Sequence, residues 1–238
     1  MELRKKNNYN KIYKTMFKKI ASYLFPIKVW EERSAISKTL EVTWNNGTLV
    51  LDSKNANYSY GSLQRILKKG LKVIGYQTIH EMNQILLLGV AGGSVIKTLV
   101  DEVGYKGCIT GVEIDEKVIQ LSEKYFKLSQ YHNLKLELAD ASVFIQKKQW
   151  SYDLIIIDVF HDLEMPSFLF EHQFWNNVKD ALNSNGYVVF NTIVLHDIHQ
   201  KRNQSLANYW EQHFEPIQKI AKLEKYNELF ILKKKFNN

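Results

Sequence analysis

Residues 85–94 read ILLLGVAGGS. An apolar run too short for a helix is followed by three glycines in five positions, and then by a helical pattern from Ser94 to Val103. A run of that kind, bounded by turn residues, reads as a strand buried on both faces, so the stretch is a strand, a tight turn and a helix. Glycines at 89, 92 and 93 let the backbone approach a ligand, and the N-terminus of the following helix favours acceptor or anionic groups. Position 91 is Ala, so the spacing is not a full G-x-G-x-x-G. Taken alone, the stretch is also consistent with a plain strand-to-helix turn.

Working outward, the alternation continues. Cys108–Ile114, Leu134–Leu138, Asp153–Asp158 and Tyr187–Thr192 are apolar runs, and Glu116–Leu128, Ala141–Lys148 and Phe168–Leu182 carry helical spacing between them. Strands separated by helices predict an α/β fold with a mostly parallel sheet. The tail differs. After a helical stretch over 202–213, Ile217–Leu223 and Leu229–Lys233 read as strands joined at Asn227-Glu228, a connection short enough to require antiparallel pairing. Upstream, Leu40–Trp44 and Thr48–Asp52 flank Asn45-Asn46-Gly47 and predict a hairpin, followed by helical spacing over 58–75. Residues 10–25 place Ile12, Tyr13, Met16, Phe17, Ile20, Tyr23 and Leu24 on one stripe, with lysines on the other face and Pro26 at the end. This is a basic amphipathic helix. The chain divides into a basic helical arm (1–38), a hairpin-and-helix segment (39–75) and an α/β domain (76–238).

Composition excludes much else. With 238 residues, 45% hydrophobic and 24% charged, the chain is globular and large enough for a sizeable core. The single Cys108 leaves no disulfide framework and no Cys-based zinc site. No apolar stretch is long enough to span a membrane and no secretory signal is readable, so a cytoplasmic protein is expected. The nearly acid-free arm is the one feature compatible with a mitochondrial-type presequence. The net charge of +7 resides in residues 1–30, which hold eight basic residues and one acid, while the rest of the chain balances. A balanced body argues against an extensive nucleic-acid surface, leaving only phosphate contacts from the arm. The apolar stripe of the arm is expected either to pack on the body or on a second subunit, giving a homodimer, or to dock weakly on an anionic membrane surface.

Carboxylates close three of the strands after the first. Glu113 ends the second and can accept both hydroxyls of a ribose, while Asp115 reads as a helix N-cap. Asp140-Ala141 follows the third; Asp140 can accept from an exocyclic amine or cap a helix. Asp158 ends the fourth, DLIIID, where packing does not explain an acid. His161, Asp162 and Glu164 follow as base or lid elements or as a solvated loop. His196, Asp197 and His199 suggest a metal, but no other cluster supplies the remaining ligands, so none is expected. Tyr58, Tyr60 and Gln64 are placed either to roof a ligand or to pack. No Gly-x-Ser-x-Gly elbow, P-loop or cysteine nucleophile is present.

Together, LLLGVAGGS (86–94), GVEID (111–115), ADA (139–141) and LIIIDVF (154–160) resemble the spermidine synthase-like branch of the class I S-adenosylmethionine-dependent methyltransferases. The resemblance spans roughly residues 40–195. It implies a Rossmann-like sheet of seven strands with an antiparallel C-terminal pair. It also implies a cofactor, S-adenosylmethionine or its decarboxylated form, bound by Gly89, Ala91, Gly92, Gly93, Glu113, Ile114, Asp140, Ala141 and Asp158. Asp158 and His161 are then the catalytic candidates. The polyamine synthases of this family carry an acid in the glycine loop, where this chain has Gly92, and a second acid after the fourth strand, where it has His161. A multiply charged acceptor needs several acids, so the departures favour methyl transfer to a small-molecule or protein acceptor over aminopropyl transfer. A non-catalytic scaffold is the third reading.

Overall fold

The computed structural model describes residues 13–53, 57–59, 61–147, 151–161 and 164–236. A helix over residues 13–21 (α1) leads through Pro26 into a four-stranded antiparallel sheet of β1 (Ile27–Ser34), β2 (Lys38–Asn45), β3 (Thr48–Ser53) and β4 (Asn57–Ser59). The expected hairpin is β2–β3, turning through Asn46 and Gly47 with φ of 48° and 74°. Positive φ at both positions is the turn whose twist matches two antiparallel strands. Residues 27–34 correct the reading of 1–38 as a helical arm. Glu31, Glu32 and Arg33 hide the strand in sequence, yet β1 pairs with β2 along nearly its whole length.

The helices α2 (Ser62–Ile74) and α3 (Tyr76–His80) lead into the central sheet. Its strands are β5 (Gln84–Leu88), β6 (Cys108–Glu113), β7 (Leu134–Leu138), β8 (Tyr152–Ile157), β9 (Leu182–Ile193), β10 (Phe214–Leu223) and β11 (Asn227–Lys234). Their order is β10-β11-β9-β8-β5-β6-β7, with β5 to β9 parallel and β11 antiparallel to both of its neighbours. The crossovers carry α4 (Ser94–Lys97), α5 (Glu116–Leu121), α6 (Ala141–Phe144), α7 (His172–Ala181) and, before β10, α8 (Asp197–Trp210).

Alternation builds two cores from one sheet. Ile85, Leu87, Leu154 and Ile156 face α2 and α4, while Leu86, Leu88, Ile155 and Ile157 face α7 and α8. Eight fully buried aliphatic side chains on two adjacent strands explain why those runs are continuously apolar. A third cluster joins Leu40, Val42, Val50 and Leu51 of the N-terminal sheet to Val118 and Leu121 of α5.

The C-terminal hairpin does not turn at Asn227-Glu228. It turns over residues 224–226, with Glu224 and Lys225 at positive φ, and both expected turn residues lie in β11. Their polarity is satisfied across the sheet. Asn227 donates to Asn191, and Glu228 accepts from the buried Asn203 at 2.8 Å and from Lys219 at 2.9 Å.

Candidate functional site at the strand ends

The carboxyl ends of β5, β6, β7 and β8 open into one cleft of about 1050 Å³ counted out to its mouth. Ligands in open α/β sheets bind in such a crevice. Gly89, Ala91, Glu113, Ile114, Asp140, Ala141, Asp158 and His161 all line it. Gly92 and Gly93 are buried below the lining instead. Gly93 enters α4 in the left-handed region at φ 76°, and a Cβ there would meet the Leu128 side chain at 2.3 Å.

The glycine loop is folded onto Glu113. Its Oε2 accepts from Val90 N and Ala91 N at 3.2 and 3.1 Å, and its Oε1 from Ile114 N and Asp115 N at 3.0 and 3.1 Å. Burial pushes this carboxyl above the usual range, and the backbone donors pull against that. Gly89 sits at φ 88°, and a Cβ there would lie 2.2 Å from the Asp158 carbonyl oxygen. Only glycine lets the ends of β5 and β8 close to this distance, and that closure brings Asp158 beside the loop.

Asp140 caps α6. Its Oδ1 accepts from Ser142 N at 2.7 Å and Val143 N at 3.3 Å, and also from the Ser142 hydroxyl. Capping and a ligand-facing position therefore coincide at one residue. Asp115 caps α5 through Lys117 N at 2.9 Å, as its spacing suggests. It also accepts from the hydroxyls of Ser34 and, at 2.7 Å, Ser37, tying the N-terminal sheet to the residue beside Ile114.

Asp158 is half-buried, and burial pushes its carboxyl up to about 6, against a downward pull from Asn191. Asn191 Nδ2 donates to Asp158 Oδ1 at 2.9 Å, and Asn191 Oδ1 accepts from Asn227 Nδ2 at 3.1 Å. Asn191 is fully buried and Asn227 lines the cleft. Neither stands out in sequence, since Asn191 is a polar break inside an apolar strand and Asn227 reads as a turn.

His161 is exposed at the mouth, its backbone paired with Glu164. Asp162 and Tyr60 lie outside the described residues. His196 and His199 are spent on the entry to α8. His199 N donates to the His196 carbonyl at 2.9 Å, and His199 Nδ1 accepts from Leu195 N at 3.1 Å and His196 N at 3.3 Å.

The lining also has an apolar part, made by Leu63 and Ile66 of α2 with Pro166, Phe168 and Ile193. Gln64 faces away and donates to Thr98. Arg202 of α8 stiffens this part, stacking over Phe170 at 3.8 Å and donating to the Ile193 carbonyl at 3.0 Å. Ile36 and Ser37 of the N-terminal sheet complete the lining.

The chain is 36% identical over 112 residues to the polyamine aminopropyltransferase of Vibrio vulnificus, an alignment covering 46% of this chain and 37% of that one. The chain thus spans well under two thirds of that relative's length. Its fold matches a probable spermidine synthase from Corynebacterium glutamicum with a TM-score of 0.70 at 17% identity, over 89% of this chain and 81% of the other. It also matches human methyltransferase-like protein 13 in complex with SAH with a TM-score of 0.60 at 22% identity, over 74% and 83% of the two chains. The Spermine/spermidine synthase domain matches residues 64–223, from α2 through β10 and across all four strand ends that build the cleft, so the chain belongs to that family.

Proposed function

We propose that this chain is an S-adenosylmethionine-dependent transferase that moves a methyl group to an acceptor nitrogen held at Asp158. The cleft fits the donor. Glu113 offers a carboxylate to ribose hydroxyls, Asp140 and Ala141 border the space for a base, and Gly89, Ala91 and Ile114 supply close backbone. S-adenosylmethionine, when bound, supplies a methyl group already activated by its sulfonium. What remains for the protein is positioning and exclusion of water. Asp158 orients the acceptor amine and takes its proton on the carboxylate, with Asn191 fixing the geometry of Oδ1.

The observation that carries methyl transfer is the acceptor half of the cleft. Among the described residues the lining holds three carboxylates, Glu113, Asp140 and Asp158; with Glu113 and Asp140 given to the donor, Asp158 alone is left for the acceptor, in a lining that also holds Leu63, Ile66, Pro166, Phe168 and Ile193. A polyamine entering there would bury several cationic charges against one acid. Gly92 adds to this, because a loop without an acid does not repel the carboxylate that distinguishes S-adenosylmethionine from its decarboxylated form. Aminopropyl transfer is the second reading, favoured by the activity named for the Vibrio relative.

Calorimetry with both donors and S-adenosylhomocysteine, followed by mass spectrometry of products, separates the two. Methyl transfer predicts tighter binding of S-adenosylmethionine. Preference for the decarboxylated donor, with product formed from putrescine, would establish the second reading, and binding of none of the three would sink both.

A further inference from the structure

We propose that α1 and the segment after it, residues 13–25, form a docking surface for an anionic lipid bilayer. Tyr13, Met16, Phe17, Ile20, Leu24 and Phe25 are 53–84% exposed, so most of the stripe is not packed on the body. At about 100° per residue, Tyr13, Met16, Phe17 and Ile20 share one face of α1, with Lys14 and Lys18 on one flank and Lys19 on the other, and Leu24 follows in the turn after it. No acid lies between Glu2 and Glu31.

The helix is nevertheless built into the protein at its last turn. Ser22 is buried, its hydroxyl donates to the Lys19 carbonyl at 2.6 Å and accepts from Gly47 N at 3.0 Å, and its carbonyl accepts from Asn46 N at 3.1 Å. Gly47 leaves room for the Tyr23 side chain, whose hydroxyl a Cβ would meet at 2.2 Å. The β2–β3 turn thus holds the base of the helix and leaves its apolar face in water. A helix this short is marginal in water on its own, so the stripe needs an apolar partner.

Charge selects the partner. Lysines flanking an aromatic-rich stripe can extend their heads to a phosphate layer while their stems lie along the acyl boundary. A second copy of this chain offers a charge-balanced body and the same basic arm, which repels itself. No helix among the described residues is long and apolar enough to cross a membrane, so the contact is one of a helix lying on the surface.

The full chain should co-sediment with phosphatidylcholine vesicles containing phosphatidylglycerol, and far less with phosphatidylcholine alone. Binding should weaken on the order of a hundredfold when Lys14, Lys18 and Lys19 are changed to glutamine, at about 1 kcal/mol or roughly fivefold each. The Phe17→Glu, Ile20→Glu double variant should lose it, with its thermal midpoint unchanged because both positions are exposed. Three results would overturn the proposal: no sedimentation of the intact chain, binding indifferent to anionic lipid or to these substitutions, or a lipid-free dimer that the double variant breaks while vesicles capture neither form.

Discussion

Glu113 spreads four backbone N–H groups over two oxygens, and a ribose must displace some of them to bind. Glu113→Gln keeps the shape but turns one acceptor into a donor facing N–H groups. Donor affinity measured by calorimetry should fall by roughly 1.5–3 kcal/mol, about ten- to a hundredfold. At Asp158 the sign of the pH effect follows from a carboxyl held at about 6. As the proposed base, the group acts only when ionised, so activity should rise with pH through about 6 and then level off. Asn191→Leu removes the donor that favours the ionised form, and should move that limb to higher pH while leaving donor affinity unchanged. A folded value raised above the unfolded one also means that ionised Asp158 costs stability, a cost that sets in as pH rises from the ordinary carboxylate range through about 6. Asp158→Asn should therefore stabilise the fold by on the order of 1 kcal/mol at pH 8 and not at pH 4, read as a higher thermal midpoint at pH 8 only. Both acids were legible because a carboxylate closing an apolar run has no packing explanation. Asn191 was not, because a buried amide in a strand announces nothing until its two partners are known.

Between elements, the joint that matters is Asp115. It caps α5 and receives the Ser34 and Ser37 hydroxyls, while Lys117 of the same helix pairs with Glu32 of β1 at 2.7 Å. Asp115→Ala should cost about 2–4 kcal/mol, the sum of a lost cap and two charge-assisted hydrogen bonds, read as a fall in urea midpoint. Its cap role was legible from spacing alone, but its partners 78 and 81 residues away were not. The same limit applied to β1, whose acidic stretch has no apolar alternation and is a strand because β2 lies beside it. Local patterns sufficed for β5, β8 and β11, where burial on two faces leaves a strong signature. At the C-terminal turn the pattern misled, since Asn227-Glu228 is polar for reasons of the site and the core rather than of the turn.

Across the whole molecule, charge and chemistry are separated. The body is balanced and carries the cleft, while the arm carries the net charge and the exposed apolar stripe. The two are not independent modules, because the chain that leaves α1 becomes β1 and reaches Ser37 on the rim of the cleft. Removal of residues 1–25 should abolish vesicle binding and leave donor affinity within about twofold, since no lining residue is lost. Removal of residues 1–37 should do both kinds of damage. Ile36 and Ser37 vanish from the rim, Asp115 loses two donors, and β2 becomes an unprotected edge open to self-association. The shortest fragment of this protein that keeps its cleft whole is thus set by a wall of that cleft, and trimming the chain back to the Rossmann-like sheet would leave the cleft with one side missing.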